Sequence, residues 1–158
     1  MKILIASDHA GFLLKKFLVE NLKNDHEVYD LGTDSENACD YPIFANKLKH
    51  LLIPIERSSE KPYDQNRTFG VLICGSGIGM SIAANRYPEI RAALCFNEKM
   101  SKMARRHNNA NVIVLGSKII DNATAIECVN RFIMTDFEGG RHTNRLHLVN
   151  ELAFGEKK

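Results

Sequence analysis

The chain has 158 residues, 44% of them hydrophobic and 25% charged, with a formal net charge of +2. That length suits one domain with a full core, and the balance is that of an ordinary globular protein. The small net charge and the dispersed basic residues exclude a polybasic arm for nucleic acid, and no stretch approaches the roughly 18 apolar residues of a membrane span.

Strand-like and helix-like segments alternate from the start. Ile3–Ala6 is a short apolar run that predicts a buried strand. It is too short for the roughly 7–15-residue apolar core of a secretory signal, so the chain reads as cytoplasmic with no membrane partner. Phe12–Leu22 carries Leu13, Leu14, Phe17, Leu18 and Leu22 at helical spacing. Glu27–Leu31 predicts a second strand, closed by Gly32. "DYPIFANKLKHLL" then opens a helix, with Asp40 as its cap and Pro42 in its first turn. Pro54–Thr68 is polar, holds two of the four prolines and reads as a long exposed connection. Val71–Cys74 predicts the third strand, and Ile78–Arg86 a helix that stops before Pro88. Arg91–Phe96 predicts a fourth strand, Glu98–His107 a helix and Val112–Leu115 a fifth strand. Asp121 caps a helix that runs to Phe137, "EGGRHTNR" breaks it, and a last helix covers about 144–153.

Alternating strands and helices imply a parallel sheet covered on both faces. Residues 1–158 therefore read as a single-domain α/β protein: a doubly wound αβα sandwich on a five-stranded parallel sheet, Rossmann-like or flavodoxin-like. Ligands of such sheets bind beyond the carboxyl ends of the strands, where the strand order reverses. "SDHAG" after the first strand and "CGSGIG" after the third are the favoured loops. A 2-1-3-4-5 order would make them neighbours.

The segment Gly70–Asn85, "GVLICGSGIGMSIAAN", is the most informative stretch. It is not a Walker A loop, because no GK[ST] follows, and not GxGxxG, because Met80 stands where the third glycine would fall. Met80 also occupies the place of the arginine that a cysteine phosphatase needs, and Ser76 comes one residue too early for a GxSxG elbow. Gly75, Gly77 and Gly79 let the backbone turn tightly and aim several N–H groups inward, at the positive end of the following helix. That is a pocket for an anion, or for negative charge that develops during a reaction. Cys74 enters it, where the same field would lower its pKa and fit it as nucleophile or general base, and Ser76 adds a hydroxyl. A glycine-rich turn beside an inert cysteine is the plain structural alternative.

Asp8 and His9 suit hydroxyl binding and proton transfer, or a structural cap. Arg141 and Arg145 stand four apart and would converge on one helix face, as a phosphate clamp or as a solvated basic face. His107-Asn108-Asn109 is a polar turn between helix and strand, at the end of the sheet opposite the ligand loops. A catalytic His107 would therefore serve a neighbouring subunit's site, which predicts a homodimer with shared sites. Cys39, Cys74, Cys95 and Cys128 are widely spaced with no CxxC pair, against a disulfide framework or a zinc site. No metal ligand set is visible, and chelators should have no effect.

"SDHAG", "DYP", "CGSGIGMSIAAN", "RHNNANV" and "GGRH" with Arg145 occur in series from Lys2 to about Glu151. Together they resemble the type B ribose-5-phosphate isomerases, within the wider family of ribose, galactose and allose phosphate isomerases. The resemblance implies a dimer whose sites use both chains, extending to a dimer of dimers as the larger assembly. It implies interconversion of ribose 5-phosphate and ribulose 5-phosphate through an enediolate, in the non-oxidative pentose phosphate pathway, without metal or cofactor. It implies that Cys74 moves the proton between C1 and C2. Ser76 and the amides of Gly75, Ser76, Gly77, Ile78 and Gly79 would hold the enediolate, and His107 would open the furanose ring. Asp8, His9, Tyr41 and the neighbouring chain's Asn108 are implied sugar or phosphate contacts, and Arg141 and Arg145 phosphate ligands. In some members the base is a glutamate four residues after the serine; Met80 or Ser81 stands there and neither can be a base, which leaves Cys74. Lys118 replaces a frequent arginine near the phosphate and keeps the charge without the bidentate fork. Pro54–Thr68 is longer than the family's usual connection. A six-carbon sugar phosphate is the nearest rival substrate, and a non-catalytic phosphate- or nucleotide-binding module the rival of another class.

Overall fold

The computed structural model describes residues 1–58 and 67–155. Its strands are β1 (Lys2–Ser7), β2 (Glu27–Asp30), β3 (Thr68–Cys74), β4 (Ala92–Leu94) and β5 (Val112–Gly116). Its helices are α1 (Phe12–Leu22), α2 (Tyr41–Ser58), α3 (Ile78–Ala84), α4 (Glu98–Asn108), α5 (Asn122–Ile133) and α6 (Arg141–Phe154), with a 3₁₀ turn at His9–Gly11. Among the described residues no helix is long and apolar enough to cross a membrane.

All five strands are parallel, in the order β2-β1-β3-β5-β4. This differs from the 2-1-3-4-5 order considered above only at one edge, where β4 and β5 exchange places. Every residue of β5 is buried, whereas the three residues of β4 are only half-buried. The fully apolar strand takes the interior place beside β3, and the short one closes the sheet. The loops after β1 and β3 are still neighbours, as the register Ser7↔Ile73 requires, and the loop after β5 now joins them through Cys74↔Gly116.

Alternation along the strands sorts the core into two layers. Ile3, Ile5, Val71, Ile73, Ile113 and Leu115 face α1 and α5 through Leu14, Leu18, Val129 and Phe132. Leu4, Ala6, Leu72, Val112 and Val114 face α2 and α3 through Phe44, Leu48, Leu52 and Met80. Cys74, Cys95 and Cys128 are buried, Cys39 is half-buried, and all four are free thiols. Burial pushes the Cys95 thiol up to about 11 and raises that of Cys128, so these two are inert packing residues.

Several helix boundaries depart from the periodicity. Helix α2 continues through Pro54 to Ser58, because Leu52 and Ile53 extend its buried stripe, and Thr68 at the other end of the expected Pro54–Thr68 connection is buried and already begins β3; 59–66 lie outside the described residues. Helix α5, capped by Asp121 through Thr124 N–H at 2.7 Å, stops at Ile133 instead of Phe137. There the Thr135 hydroxyl donates back to the Arg131 carbonyl at 2.6 Å, and the Thr135 carbonyl is taken by the Arg105 guanidinium at 3.3 Å. Helix α6 starts at Arg141, three residues earlier than expected, directly after Gly139 and Gly140, both with positive φ.

The α5 face of the core rests on Phe132, which is fully buried and meets Phe69 edge-on at 5.7 Å. Phe132→Ala should lower the unfolding free energy by about 3–5 kcal/mol, read from urea denaturation.

Candidate active site

The expected site residues fall into two groups. The first lies at the carboxyl ends of β1, β3 and β5. Asp8 is buried there, and its Oδ1 accepts the Gly11 N–H at 3.1 Å, so it caps the 3₁₀ turn. The second Asp8 oxygen remains for other work. His9 stands in that turn, with Nδ1 at 3.1 Å from both the N–H and the carbonyl oxygen of Cys39, so the Cys39 backbone fixes the ring and leaves Nε2 for other work. A Cβ on Gly11 would lie 2.8 Å from Ile73 Cγ2, so glycine lets this turn press against β3.

After β3 the chain turns through Gly77, whose φ of 78° belongs to the left-handed region. This conformation brings the Gly77 N–H to the Cys74 Sγ at 3.1 Å, and Cys74 is only 5% exposed. The Ile78 N–H turns to Ser76 Oγ at 3.3 Å. The amides of Gly75, Ser76, Gly79 and Met80 find no acceptor among the described residues. They form a set of donors beside a thiol, which suits an oxyanion.

Three side chains close around this turn. A Cβ on Gly79 would lie 2.8 Å from Tyr41 Cζ, so the tyrosine ring rests on the glycine backbone. A Cβ on Gly75 would lie 3.6 Å from both Ala10 Cβ and Lys118 Cδ, so the lysine stem passes the cradle. Ser117 was not anticipated. Its hydroxyl donates to the Ala10 carbonyl at 2.7 Å and reaches the Cys74 carbonyl at 3.3 Å, tying all three loops together. Only the observed strand order puts the residue after β5 here.

The second group is His107, Asn108, Arg141 and Arg145. His107 and Asn108 form the last turn of α4, which returns the chain to the amino end of β5. Val112 is level with Gly70, four residues below Cys74, or roughly 13 Å along the strands. The two groups therefore occupy opposite ends of the sheet. His107 stacks face to face on His142, with ring centroids 4.5 Å apart and planes 11° apart. Burial, together with the neighbouring His107 and Arg141, holds the His142 pKa below the usual histidine value. Arg141 and Arg145 are exposed in the first two turns of α6. Asn109 takes the left-handed conformation (φ 43°) expected of a polar turn.

His142 and Glu138 were not expected as functional residues, although both stand in the "EGGRH" stretch from which the arginines were read. Ligand atoms of His107, Glu138 and His142 lie within 4.8 Å of one another. The carboxylate is already engaged, however: Arg106 Nη2 holds Glu138 Oε2 at 2.9 Å, and the two rings stack on each other. The arrangement suits an anion clamp better than a metal centre.

The family model described as Ribose/Galactose Isomerase matches residues 3–149. A solved ribose 5-phosphate isomerase from Thermotoga maritima is 45% identical, with a TM-score of 0.85 over 95% of this chain and 97% of that one. The ribose-5-phosphate isomerase B of Mycoplasma genitalium, solved with bound ribulose-5-phosphate, is 38% identical, with a TM-score of 0.82 over 96% and 95% of the two chains. Ribose-5-phosphate isomerase B of Escherichia coli is 34% identical over 96% of this chain and 95% of its own. On fold, motifs and similarity alike, the chain belongs to the ribose/galactose isomerase family.

Proposed function

We propose that this chain is one aldose–ketose isomerase domain, acting in the cytoplasm as a homodimer, that interconverts ribose 5-phosphate and ribulose 5-phosphate. The observation that carries the reading is the Cys74 thiol, held by the Gly77 N–H at the rim of a cradle of unused amides. A named relative with ribulose-5-phosphate bound supports the substrate class.

The mechanism follows from that geometry. Cys74 as thiolate takes the proton from C2 of the open aldose. The electron pair left behind forms the C1–C2 double bond, and the carbonyl oxygen takes the charge. The amides of Gly75, Ser76 and Gly79, with the Ser76 hydroxyl, are preorganised for that oxyanion. Cys74 then returns the proton to C1, a hydroxyl proton passes from O2 to O1, and the ketose results. Asp8, His9 and Tyr41 line the sugar, with Lys118 near its phosphate. The partner subunit's His107 opens the ring, the partner's Asn108 contacts the sugar, and the partner's Arg141 and Arg145 grip the phosphate. The 13 Å offset between the two groups supports this division, since one chain's His107 stands far from its own Cys74.

Incubation with ribose 5-phosphate, and separately with allose 6-phosphate, tests the reading through ketose formation. Turnover of the pentose alone is expected; turnover of the hexose alone keeps the mechanism and changes the substrate, and turnover of neither overturns the reading. Cys74→Ala should abolish isomerisation while calorimetry still detects sugar phosphate binding, and a near-full rate would refute the base assignment. Arg145→Ala should mainly raise KM, because phosphate grip contributes equally to ground and transition states. Mixed dimers of a Cys74→Ala chain and a His107→Ala chain should regain activity that neither homodimer has. A mixture as inactive as its parents would argue for sites built within one chain.

A further inference from the structure

The loop between α5 and α6 is stitched to the end of α4 twice. The Glu138 N–H donates to the Arg106 carbonyl at 2.9 Å, and Glu138 Oε2 receives Arg106 Nη2 at 2.9 Å. The same Oε2 lies 3.7 Å from His107 Nε2. Cationic groups gather around the same ring: Arg106 precedes it in α4, and His142, stacked on its face, has Arg141 and Arg145 of α6 beside it. The α4 carboxyl terminus already favours positive charge there, but its field fades within a turn.

We propose that Glu138 is a positioning residue for the ring-opening step, holding His107 in orientation and supplying the counter-charge for its imidazolium. This inference rests on the isomerase reading above. Opening the furanose breaks the bond between C1 and the ring oxygen. The ring oxygen keeps the electron pair and takes a proton from His107, and the hydroxyl on C1 returns a proton to the imidazole through water. The imidazole must therefore carry a charge for part of each cycle, within a cluster of guanidiniums. A carboxylate fixed by Arg106 is arranged to offset that charge, as carboxylate partners of working histidines do elsewhere. Arg106 sets the carboxylate's place, and its negative charge is what His107 uses.

The step assigned to Glu138 can be separated from the rest of the reaction. Ribulose 5-phosphate has no hydroxyl free to close a five-membered ring, so exchange of its C1 hydrogen with solvent deuterium reads proton transfer at Cys74 alone. Glu138→Gln should slow conversion of ribose 5-phosphate about tenfold or more, part of the 10²–10⁴-fold that general acid–base catalysis typically contributes. Deuterium exchange into ribulose 5-phosphate should stay within about twofold of the wild type, which also shows that the variant is folded and assembled. Arg106→Gln loosens the carboxylate but keeps its charge, and should slow ring opening less than Glu138→Gln does. Equal loss of both reactions in Glu138→Gln, no loss in either, or an equal effect of the two variants on ring opening would overturn the proposal. Absence of both reactions in the wild-type protein would instead sink the isomerase reading itself.

Discussion

The contact between the Gly77 N–H and the Cys74 sulfur organises the first half of the site. It exists because Gly77 adopts a φ that residues with a Cβ rarely take, and because a Cβ there would lie 2.3 Å from Leu94 Cδ1 and 3.2 Å from the Leu115 carbonyl carbon. The turn cannot relax away from the sheet, because β1 and β5 pair with β3 on either side and Ser117 bonds across to both neighbouring loops. Small residues at Gly11, Gly75 and Gly79 then let Ile73, Lys118 and Tyr41 approach the backbone. The cradle is open to a ligand but closed to movement. Donors that stabilise a transient oxyanion must have that property, since they gain most when no reorganisation is needed.

The other half depends on a buried cation. The Arg105 guanidinium is 2% exposed and lies 5.0 Å from the Phe69 ring centroid and 5.7 Å from that of Phe132. It bonds the carbonyls of Thr135 and Ala110 and the side chain of Asn109. One residue thus ends α5, fixes the left-handed Asn109 and joins both to β3. His107 and Asn108 precede that turn directly, so their placement comes from the core rather than from the surface on which they appear.

These two anchors explain what could be read from the residues and what could not. Helix α1 begins and ends where its apolar spacing says, and Asp121 caps α5, because both are decided within a few residues. The end of α5 was misjudged because Arg105, 30 residues away, captures the Thr135 carbonyl. The order of the last two strands was not legible, because it depends on which strand can be buried on both faces. Asp8 is a cap as well as a candidate ligand, and one carboxylate can hold both places. The tight turn at Gly75–Gly79 was legible because glycines at alternate positions free the backbone, and Gly77 takes a positive φ there. Ser117, Glu138 and His142 were not, since their importance lies in what the fold sets beside them.

The separation of the two groups is itself a physical constraint. The level of Val112 and that of Cys74 are four residues apart along paired, buried strands. Side chains reach only about half of that roughly 13 Å span, and a close-packed ladder does not shorten. His107, which precedes β5, and Cys74, which ends β3, thus belong to opposite ends of the sheet. The amide cradle, the Cys74 thiol and Lys118 lie at one end, and the basic cluster of Arg106, Arg141 and Arg145 at the other. The polarity of the helices matches that split: the positive end of α3 faces the thiol, and the negative end of α4 gathers Arg105, Arg106 and His107. Each half is stabilised by its own helix terminus, and neither depends on the other for its local geometry.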